Sequence, residues 1–367
     1  MNQDKLRLLF KLQEHPMAPA VQLAKEVQIS PPTAKAWLDS LKKEQVYIGV
    51  QPNLRVRRLG LEIDDFLLEV DSYNALVKIE QFCEKHPYTL YRARVFGGSS
   101  QGIMVQFRQP DKARKHLEDA LEILKERGYI KNIRELPTLN PVYGSTYTRP
   151  RLEAWDPKRM VWVFDWDEWW KKESTKSNRT IEEIEDAKGR IPLDKLDAKI
   201  LEMITRDARQ KNTEIIESIG LDKSQMGIQQ DFSKRLKKLN EAVESYRVFI
   251  NWNHFDVYNT PLIIANADKE ITEQLIRKLQ MGEFPFGSSI RQTKTGFVWS
   301  ARMPSAHFSE LISLVWKISI DYELLIIDYK NSQRYALWAE TFDPEQNDWK
   351  ADREFCLEKP LMSIDIL

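Results

Sequence analysis

The sequence is poor in cysteine, and its charges cancel. Its 367 residues include only Cys83 and Cys356, too few for a disulfide framework or a cysteine-based zinc site. Basic and acidic residues both number 55, so the net charge of 0 favours no class of partner. No stretch is long and apolar enough to span a bilayer, and the N-terminus lacks the apolar segment of a signal peptide. We therefore expect a cytoplasmic protein with no membrane partner.

The motifs of several enzyme classes are also missing. There is no P-loop, no GxGxxG after a strand, no HExxH and no GxSxG. No two of the five histidines stand at metal-ligand spacing. His15 and His86 precede proline at predicted helix ends, where a solvated imidazole is the ordinary outcome. We therefore expect no metal, no cofactor and no catalytic residues.

What the sequence does contain is an internal repeat. Residues 102–110 read GIMVQFRQP and residues 296–304 read GFVWSARMP, each preceded by a Phe-Gly-Ser cluster at 96–100 and 286–289. The segment SLKK at 40–43 is matched by RLKK at 235–238, and WDP at 155–157 by FDP at 342–344. Every offset lies between 187 and 195 residues. Because this period is too long for a solenoid, the matches predict a duplicated unit of about half the chain.

Both halves predict the same order of secondary structure. Apolar spacing in the first half predicts helices at 4–14 and 19–27, a third helix capped by Ser30, and a strand at 46–50. Residues 62–136 then follow the order β-α-β-β-α-β, which is typical of a ferredoxin-like unit. The second half predicts helices at 193–206, 212–220 and 224–239 and a strand at 246–251. A second β-α-β-β-α-β pattern follows from about residue 260 to residue 329.

This layout and several local motifs resemble the Lrp/AsnC family of transcription regulators. DKL at 4–6 and LDKLD at 193–197 are similar to the family's opening L-D-x-x-D. LAKEVQISPPT at 23–33 resembles its helix-turn-helix segment, and LKKEQVYI at 41–48 resembles the end of its recognition helix and the start of its wing. The resemblance implies a winged helix-turn-helix that binds DNA and a ferredoxin-like domain for dimerisation and small-molecule sensing.

The resemblance and the internal repeat together imply an α+β fold made of two tandem copies of a winged helix-turn-helix and a ferredoxin-like βαββαβ domain. We expect the helical domains at 1–58 and 191–252 and the ferredoxin-like domains at 59–145 and 253–332. A Trp-rich extension and polar linker occupy 146–190, and a C-terminal extension occupies 333–367. Since the tryptophan-bearing parts are too apolar for free linkers, we expect each to pack on a sheet or on a partner unit.

We call the helical domains at 1–58 and 191–252 the first and second heads. A local excess of basic residues points to DNA contact by the first head. Residues 1–60 contain ten Lys and Arg against five Asp and Glu, although the whole chain is neutral. The predicted contacts lie off the buried stripe of the third helix, at its end and in the wing. They are Pro32, Thr33, Lys35, Ala36, Lys42, Lys43, Arg55, Arg57 and Arg58. In the second head the corresponding residues are Gln225, Gln229, Gln230, Lys234 and Lys237, whose glutamines suit adenine edges. The alternative is a solvated face in the first head and a degenerate helix-turn-helix kept for packing in the second.

The family's ligand-sensing turn usually reads G-x-x-D between the two central strands. The corresponding turns here, 96–102 and 286–296, contain no acidic residue. We therefore expect free amino acids not to bind in the family's usual mode, and the effector stays unknown.

The sequence interpretation is a cytoplasmic DNA-binding transcription regulator with two heads per chain and no enzymatic activity. The expected partners are double-stranded DNA and a second unit, in a homodimer or an intramolecular pseudo-dimer whose sheets associate and hold the heads apart. One alternative is a tetrapyrrole enzyme, because siroheme decarboxylases resemble Lrp/AsnC proteins. Such an enzyme needs a pocket of His and Arg, and the strand arginines that could line it are Arg92, Arg94, Arg108 and Arg302. The other alternative is a protein-interaction scaffold.

Overall fold

The first half of the chain begins with three helices and a strand. The computed structural model describes residues 3–97, 100–136, 145–148, 150–156, 158–173, 189–251, 254 and 259–367. The helices are α1 (Gln3–Glu14), α2 (Ala20–Val27) and α3 (Pro31–Lys43), and the strand is β1 (Tyr47–Leu54). The third helix begins where predicted, because the Ser30 hydroxyl accepts a hydrogen bond from the Thr33 backbone N–H at 3.2 Å. Prolines occupy its first turn, where an N–H has no helical partner to lose.

The rest of the first half is a ferredoxin-like unit. Its strands and helices are β2 (Glu62–Glu69), α4 (Tyr73–Lys85), β3 (Thr89–Gly97), β4 (Ser100–Gln109), α5 (Arg114–Glu126) and β5 (Asn132–Glu135). Both helices place an apolar stripe on one face of the sheet, which forms the core of this unit.

A connecting segment leads to the second half. Within it lie the short strands β6 (Ser145–Thr148), β7 (Trp155–Asp156) and β8 (Val161–Trp162) and the helix α6 (Trp166–Lys171). Of the predicted polar linker at 171–188, residues 174–188 lie outside the described residues, as do Gly98 and Ser99 of the first turn.

The second half repeats the order of the first. Its helical part contains α7 (Lys195–Arg206), α8 (Asn212–Ser218), α9 (Ile228–Asn240) and β9 (Val243–Ile250). Its ferredoxin-like part contains β10 (Asn259–Asn266), α10 (Lys269–Gln280), β11 (Gly287–Gln292), β12 (Gly296–Arg302), α11 (Phe308–Ile318) and β13 (Asp321–Arg334). The chain ends with β14 (Phe342–Asp343), β15 (Asp348–Trp349), a π-helix at Glu354–Glu358 and α12 (Lys359–Met362). In the described part of the chain, no helix has the length and apolar character needed to cross a bilayer.

One antiparallel sheet of nine strands joins the two halves, which confirms the α+β class. Its order is β5-β2-β4-β3-β13-β10-β12-β11-β6. The junction is the pairing of β3 with β13, where Val95 lies opposite Ile327. The sheet curls, so that apolar side chains from both halves, including Leu67, Met104 and Leu325, form one cluster between its two ends. This continuous sheet associates the halves within a single chain.

The helical heads are in contact rather than held apart, which corrects the expected spacing. Strand β1 pairs with β9, with Val50 opposite Val248. Asp207 follows α7, and its carboxylate accepts a hydrogen bond from the Val50 backbone N–H at 3.0 Å. The same carboxylate forms an ion pair with Lys42 at 2.5 Å. The junction is tightly packed, because a Cβ at Gly49 would lie 3.0 Å from the Asp207 side chain and would force that side chain to shift. The strand that resembles the start of the family's wing therefore forms an interface between the heads.

The extension that follows each half packs against the other half. Trp166 and Trp169 of the connecting segment are buried in the core of the second ferredoxin-like unit, and Lys278 donates a hydrogen bond to the Trp169 carbonyl at 2.8 Å. The end of the chain is buried in the core of the first unit, where Lys78 donates to the Ile364 carbonyl at 2.6 Å. Both extensions pack against the opposite half, as their apolar character suggested.

Two local predictions are wrong. The repeat of Phe96 and Phe286 is not structural, since Phe96 lies at the end of β3 next to the turn and Phe286 precedes β11 at its far end. The second turn is therefore confined to residues 293–295. Helix α9 begins at Ile228 rather than at residue 224, after Gly227 in the left-handed conformation at φ 83°.

His86 is buried rather than solvated. Its ring lies among Phe82, Phe107 and Tyr88, with centroid distances of 5.4, 4.9 and 6.4 Å. Its Nδ1 accepts a hydrogen bond from the Tyr88 backbone N–H at 3.3 Å. Burial lowers the pKa of His86 from 6.5 to about 3, so the imidazole stays neutral in the folded chain.

This depressed pKa predicts a loss of stability in mild acid. As the pH falls from about 6.5 towards 3 the unfolded chain binds a proton at His86 and the folded chain does not, so the stabilisation present above this window is progressively lost. Between pH 6.5 and 5 the loss from this group is about 2 kcal/mol. Urea unfolding should show a smaller loss for His86→Leu over this range. His15→Gln is the control, because His15 is half exposed, and equal acid sensitivity of all three proteins would contradict the prediction.

Candidate ligand cavity between the two ends of the sheet

A cavity of about 110 Å³ lies inside the curl of the nine-stranded sheet. Strands of both ferredoxin-like units and β9 of the second head contribute to its walls. Side chains on one face of a strand alternate along it, so Val298, Ser300 and Arg302 of β12 all reach the cavity. Met104 and Gln106 of β4 reach it from the first half. Neither half alone forms these walls.

Four arginines line the cavity, namely Arg247, Arg291, Arg302 and Arg334. None of the described residues that line it is Asp, Glu or His. Because no carboxylate or neutral imidazole shares the walls, the cavity favours an anionic ligand over a cation or a metal ion.

Arg291 is the arginine that holds the curl closed. Its guanidinium forms a buried ion pair with Asp65 of β2, behind the cavity wall. Gln106 completes the arrangement by donating a hydrogen bond from Nε2 to Asp65 Oδ1 at 2.6 Å. Since β2 and β11 belong to different halves, this pair links the two ends of the curled sheet.

Arg302 is available to a ligand. Its Nε is buried and has no hydrogen-bond partner among the described residues. The guanidinium lies 5.5 Å from the centroid of the Tyr329 ring, which fixes its position by a cation–π contact. Tyr329 is itself held, because its hydroxyl donates to the Ile250 carbonyl at 2.8 Å.

Tyr91 lies among the arginines. It is opposite Arg334 in the pairing of β3 with β13, beyond an irregularity that lets β13 bend. Burial raises the pKa of its phenol. The charge of Arg302, a hydrogen bond with Ser332 and the charges of Arg334 and Arg247 lower the pKa, but burial has the larger effect. The phenol therefore stays protonated at neutral pH and can donate a hydrogen bond to a bound anion.

The structure separates the four strand arginines that the sequence analysis considered. Only Arg302 lines this cavity. Arg92 and Arg94 both bind Glu80 of α4, each with an N···O distance of 2.8 Å, on the helix-covered face of the sheet. Arg108 lies at a different, smaller space. Arg92 and Arg94 therefore form salt bridges and do not line the cavity.

The residues predicted to contact DNA lie on the two heads, away from the cavity. Eleven are exposed, namely Pro32, Lys35, Ala36, Lys42, Lys43, Arg57, Gln225, Gln229, Gln230, Lys234 and Lys237, and Thr33, Arg55 and Arg58 are half-buried. Several already have partners in the chain, since Arg57 binds Glu62 at 2.9 Å and Arg58 binds Glu241 at 3.2 Å. Whether these residues contact DNA stays a prediction.

Sequence reasoning missed Arg247, Arg291, Arg334 and Tyr91. Each stands at a strand position whose side chain faces inward. Alternation within a strand gives the face of each residue, but it does not reveal that the two sheets are continuous and curl around a shared space.

Comparison with known proteins identifies the architecture. No protein-family model and no curated protein matches the chain. Among solved structures, the siroheme decarboxylase NirDL is similar over 99% of this chain and 100% of its own, with a TM-score of 0.51 and 12% identity. The same values apply to NirDL in complex with an iron-uroporphyrin III analogue. Escherichia coli AsnC is similar over 39% of this chain and 95% of its own, with a TM-score of 0.32 and 14% identity.

The full-length likeness corrects two functional predictions. The structure that covers both halves is an enzyme, so the interpretation as a DNA-binding regulator and the expectation of a chain without enzymatic activity are wrong. The error has a physical source. Motifs within a helical head report the fold and not the chemistry.

Proposed function

We propose that this protein is an enzyme that acts on a polycarboxylated tetrapyrrole, bound by the arginines of the cavity, and removes carboxyl groups from it. The observation that carries the proposal is the convergence of four arginines, with no acidic residue among the described lining residues, at a cavity shared by both halves. The full-length likeness to a siroheme decarboxylase supports it through the fold.

The arginines bind and orient the substrate. A guanidinium pairs with a carboxylate through two parallel hydrogen bonds, which fix its direction as well as its charge. The Nε of Arg302 lacks a partner among the described residues, and in this proposal Arg302 binds the edge of the tetrapyrrole that reacts. Arg247 and Arg334 bind neighbouring carboxylates. At about 110 Å³ the cavity is smaller than the roughly 300–1,000 Å³ of a site for a whole small molecule. The cavity therefore admits only the carboxylated edge of the tetrapyrrole. The rest of the macrocycle extends out of the cavity or widens the cavity when it binds.

Tyr91 supplies the proton in this proposal. In each decarboxylation the bond between the side-chain carbon and the carboxyl carbon breaks, carbon dioxide leaves, and the electron pair remains on the side-chain carbon. The Tyr91 hydroxyl protonates that carbon and recovers its proton from water. Its raised pKa keeps the donor protonated, and the surrounding guanidinium groups stabilise the phenolate that forms.

We further infer that the helical segments within 1–58 and 191–252 are winged helix-turn-helix units retained for packing. The ferredoxin-like domains at 59–145 and 253–332 form most of the site, with Arg247 from the second head and Arg334 from the start of the last segment. The extensions at 146–190 and 333–367 cover the opposite halves. The pairing of β1 with β9 supports this role for the heads.

Two substitutions separate binding from chemistry. Arg302→Ala should raise the dissociation constant for iron-uroporphyrin III about 10- to 100-fold, because it removes a charge-assisted contact. Tyr91→Phe should bind nearly as well as the parent but form product about 100-fold more slowly or worse, because it removes the proton donor. Binding is followed by the Soret absorption band under anaerobic conditions, and the loss of carbon dioxide from the tetrapyrrole is followed by mass spectrometry.

Arg94→Ala is the matched control, because Arg94 is a strand arginine that binds Glu80 outside the cavity. It should leave both binding and turnover close to the parent. The proposal fails if the parent neither binds nor decarboxylates the tetrapyrrole, or if Arg302→Ala and Arg94→Ala are indistinguishable.

A further inference from the structure

The two halves carry one arginine each at the same repeat position, in two different environments. Residues 102–110 and 296–304 align without a gap and place Arg108 opposite Arg302. Arg302 lines the cavity of about 110 Å³, whereas Arg108 lines a separate, smaller space of about 10 Å³. The C-terminal extension closes this second space with Leu337, Trp338 and Trp349.

Arg108 is buried without a counter-charge. It is 7% exposed, and among the described residues its side chain has no hydrogen bond or ion pair. Burial lowers its pKa to about 10, and no carboxylate acts in the opposite direction. None of the described residues around the space is acidic. An isolated buried cation is strongly unfavourable unless something pairs with it.

A second donor at the same space also lacks a partner. Thr89 is 5% exposed, and its Oγ1 has no hydrogen bond among the described residues. The neighbouring polar groups are already engaged. The Tyr88 hydroxyl donates to the Lys350 carbonyl at 2.6 Å, and the Trp349 indole N–H donates to the Leu59 carbonyl at 2.7 Å. Arg108 and Thr89 are therefore the groups left for a ligand.

We propose that this space binds one small inorganic anion, chloride in the cell, through the Arg108 guanidinium and the Thr89 hydroxyl. Its size selects the ligand. About 10 Å³ is the room that a single water-sized particle occupies, so a carboxylate or a phosphate is excluded. The anion neutralises Arg108 beneath the C-terminal extension and does not depend on the tetrapyrrole chemistry of the larger cavity.

The test compares sodium chloride with sodium gluconate at equal ionic strength, since gluconate is too large for the space. At a chloride concentration about ten times the dissociation constant, the parent should melt roughly 2 °C higher than in gluconate. Arg108→Met should lose this difference. In gluconate it should melt at or above the parent temperature, because the substitution removes an unpaired buried charge. Arg94→Met is the control, because Arg94 pairs with Glu80 and lines neither space, and it should keep the chloride response.

Crystals of the parent protein grown with sodium bromide provide a direct measurement that needs no variant. An anomalous peak beside Arg108 Nη and Thr89 Oγ1 supports the site. The proposal is overturned if the parent melts identically in both salts, if Arg108→Met keeps the full response, or if the bromide crystals show only water in the space.

Discussion

Replacing Asp65 with alanine should lower the free energy of unfolding by about 3–5 kcal/mol, the usual cost of removing one partner of a buried ion pair. The Asp65 side chain is fully buried, and Arg291 is only 10% exposed. The substitution leaves the Arg291 guanidinium and the Gln106 amide without their acceptor. Because Asp65 and Arg291 belong to different halves, the loss should fall on the closure of the curled sheet. Urea unfolding followed by near-ultraviolet circular dichroism measures it.

The chain offers its own control for this prediction. Asp65 pairs with Gln106 on β4, and Leu262 pairs with Ser300 at the matching position on β12. By the same registers, Arg291 of β11 corresponds to Ala93 of β3. The second copy of the contact is therefore apolar. The double variant Asp65→Leu/Arg291→Met should accordingly stay within about 1 kcal/mol of the parent, since an apolar pair avoids desolvating two charges. An Asp65→Ala protein with the parent's unfolding midpoint would refute the role given to the ion pair.

Trp349→Ala should cost about 3–5 kcal/mol, the range for truncating a packed tryptophan. The side chain is 3% exposed and meets Phe342 edge-on at 5.2 Å. Its indole N–H donates to the Leu59 carbonyl of the first half at 2.7 Å. The substitution therefore creates a cavity and also removes a link between the C-terminal extension and the opposite half.

Two other tryptophans provide comparisons for the stability loss of Trp349→Ala. Trp162 is half-buried at the equivalent place in the first extension, so Trp162→Ala should cost less than Trp349→Ala. Trp316 is 76% exposed, and Trp316→Ala should stay within about 0.5 kcal/mol of the parent. Equal thermal and urea midpoints for Trp349→Ala and Trp316→Ala would show that the C-terminal extension does not contribute to stability.

Local patterns predicted most of the secondary structure. The Ser30 cap, the prolines after it and the apolar stripes of the helices act within a few residues, so they can be read without knowledge of the fold. The order β-α-β-β-α-β follows in the same way from changes in the spacing of apolar residues along the chain. Errors arose where a residue's surroundings come from distant segments. His86 precedes a proline at a helix end, yet it is buried against Phe107 and interacts with the backbone of Cys356 in the C-terminal extension.

The candidate site was predicted only in part, and the function was assigned to the wrong class. Arg302 was recognised as a residue that could line a pocket. Arg247, Arg291, Arg334 and Tyr91 were not, because they lie between 11 and 211 positions from Arg302 along the chain. Motifs in the heads pointed to DNA, since sequence similarity is concentrated in local turns and helices. The cavity depends on side chains from seven strands, and no local motif reports it.

Arg108 and Arg302 show where local sequence stops being informative. The sequence determined by itself that both stand at the same position of the same strand in two copies of one unit, because strand periodicity and the repeat are properties of neighbouring residues. Their different roles arise from long-range packing. The curl of the sheet brings Tyr91, Arg334 and Arg247 around Arg302, whereas the C-terminal extension folds back over Arg108. Charge and burial act through space, so two identical side chains at one repeat position face a candidate ligand cavity in one half and a smaller space under the C-terminal extension in the other.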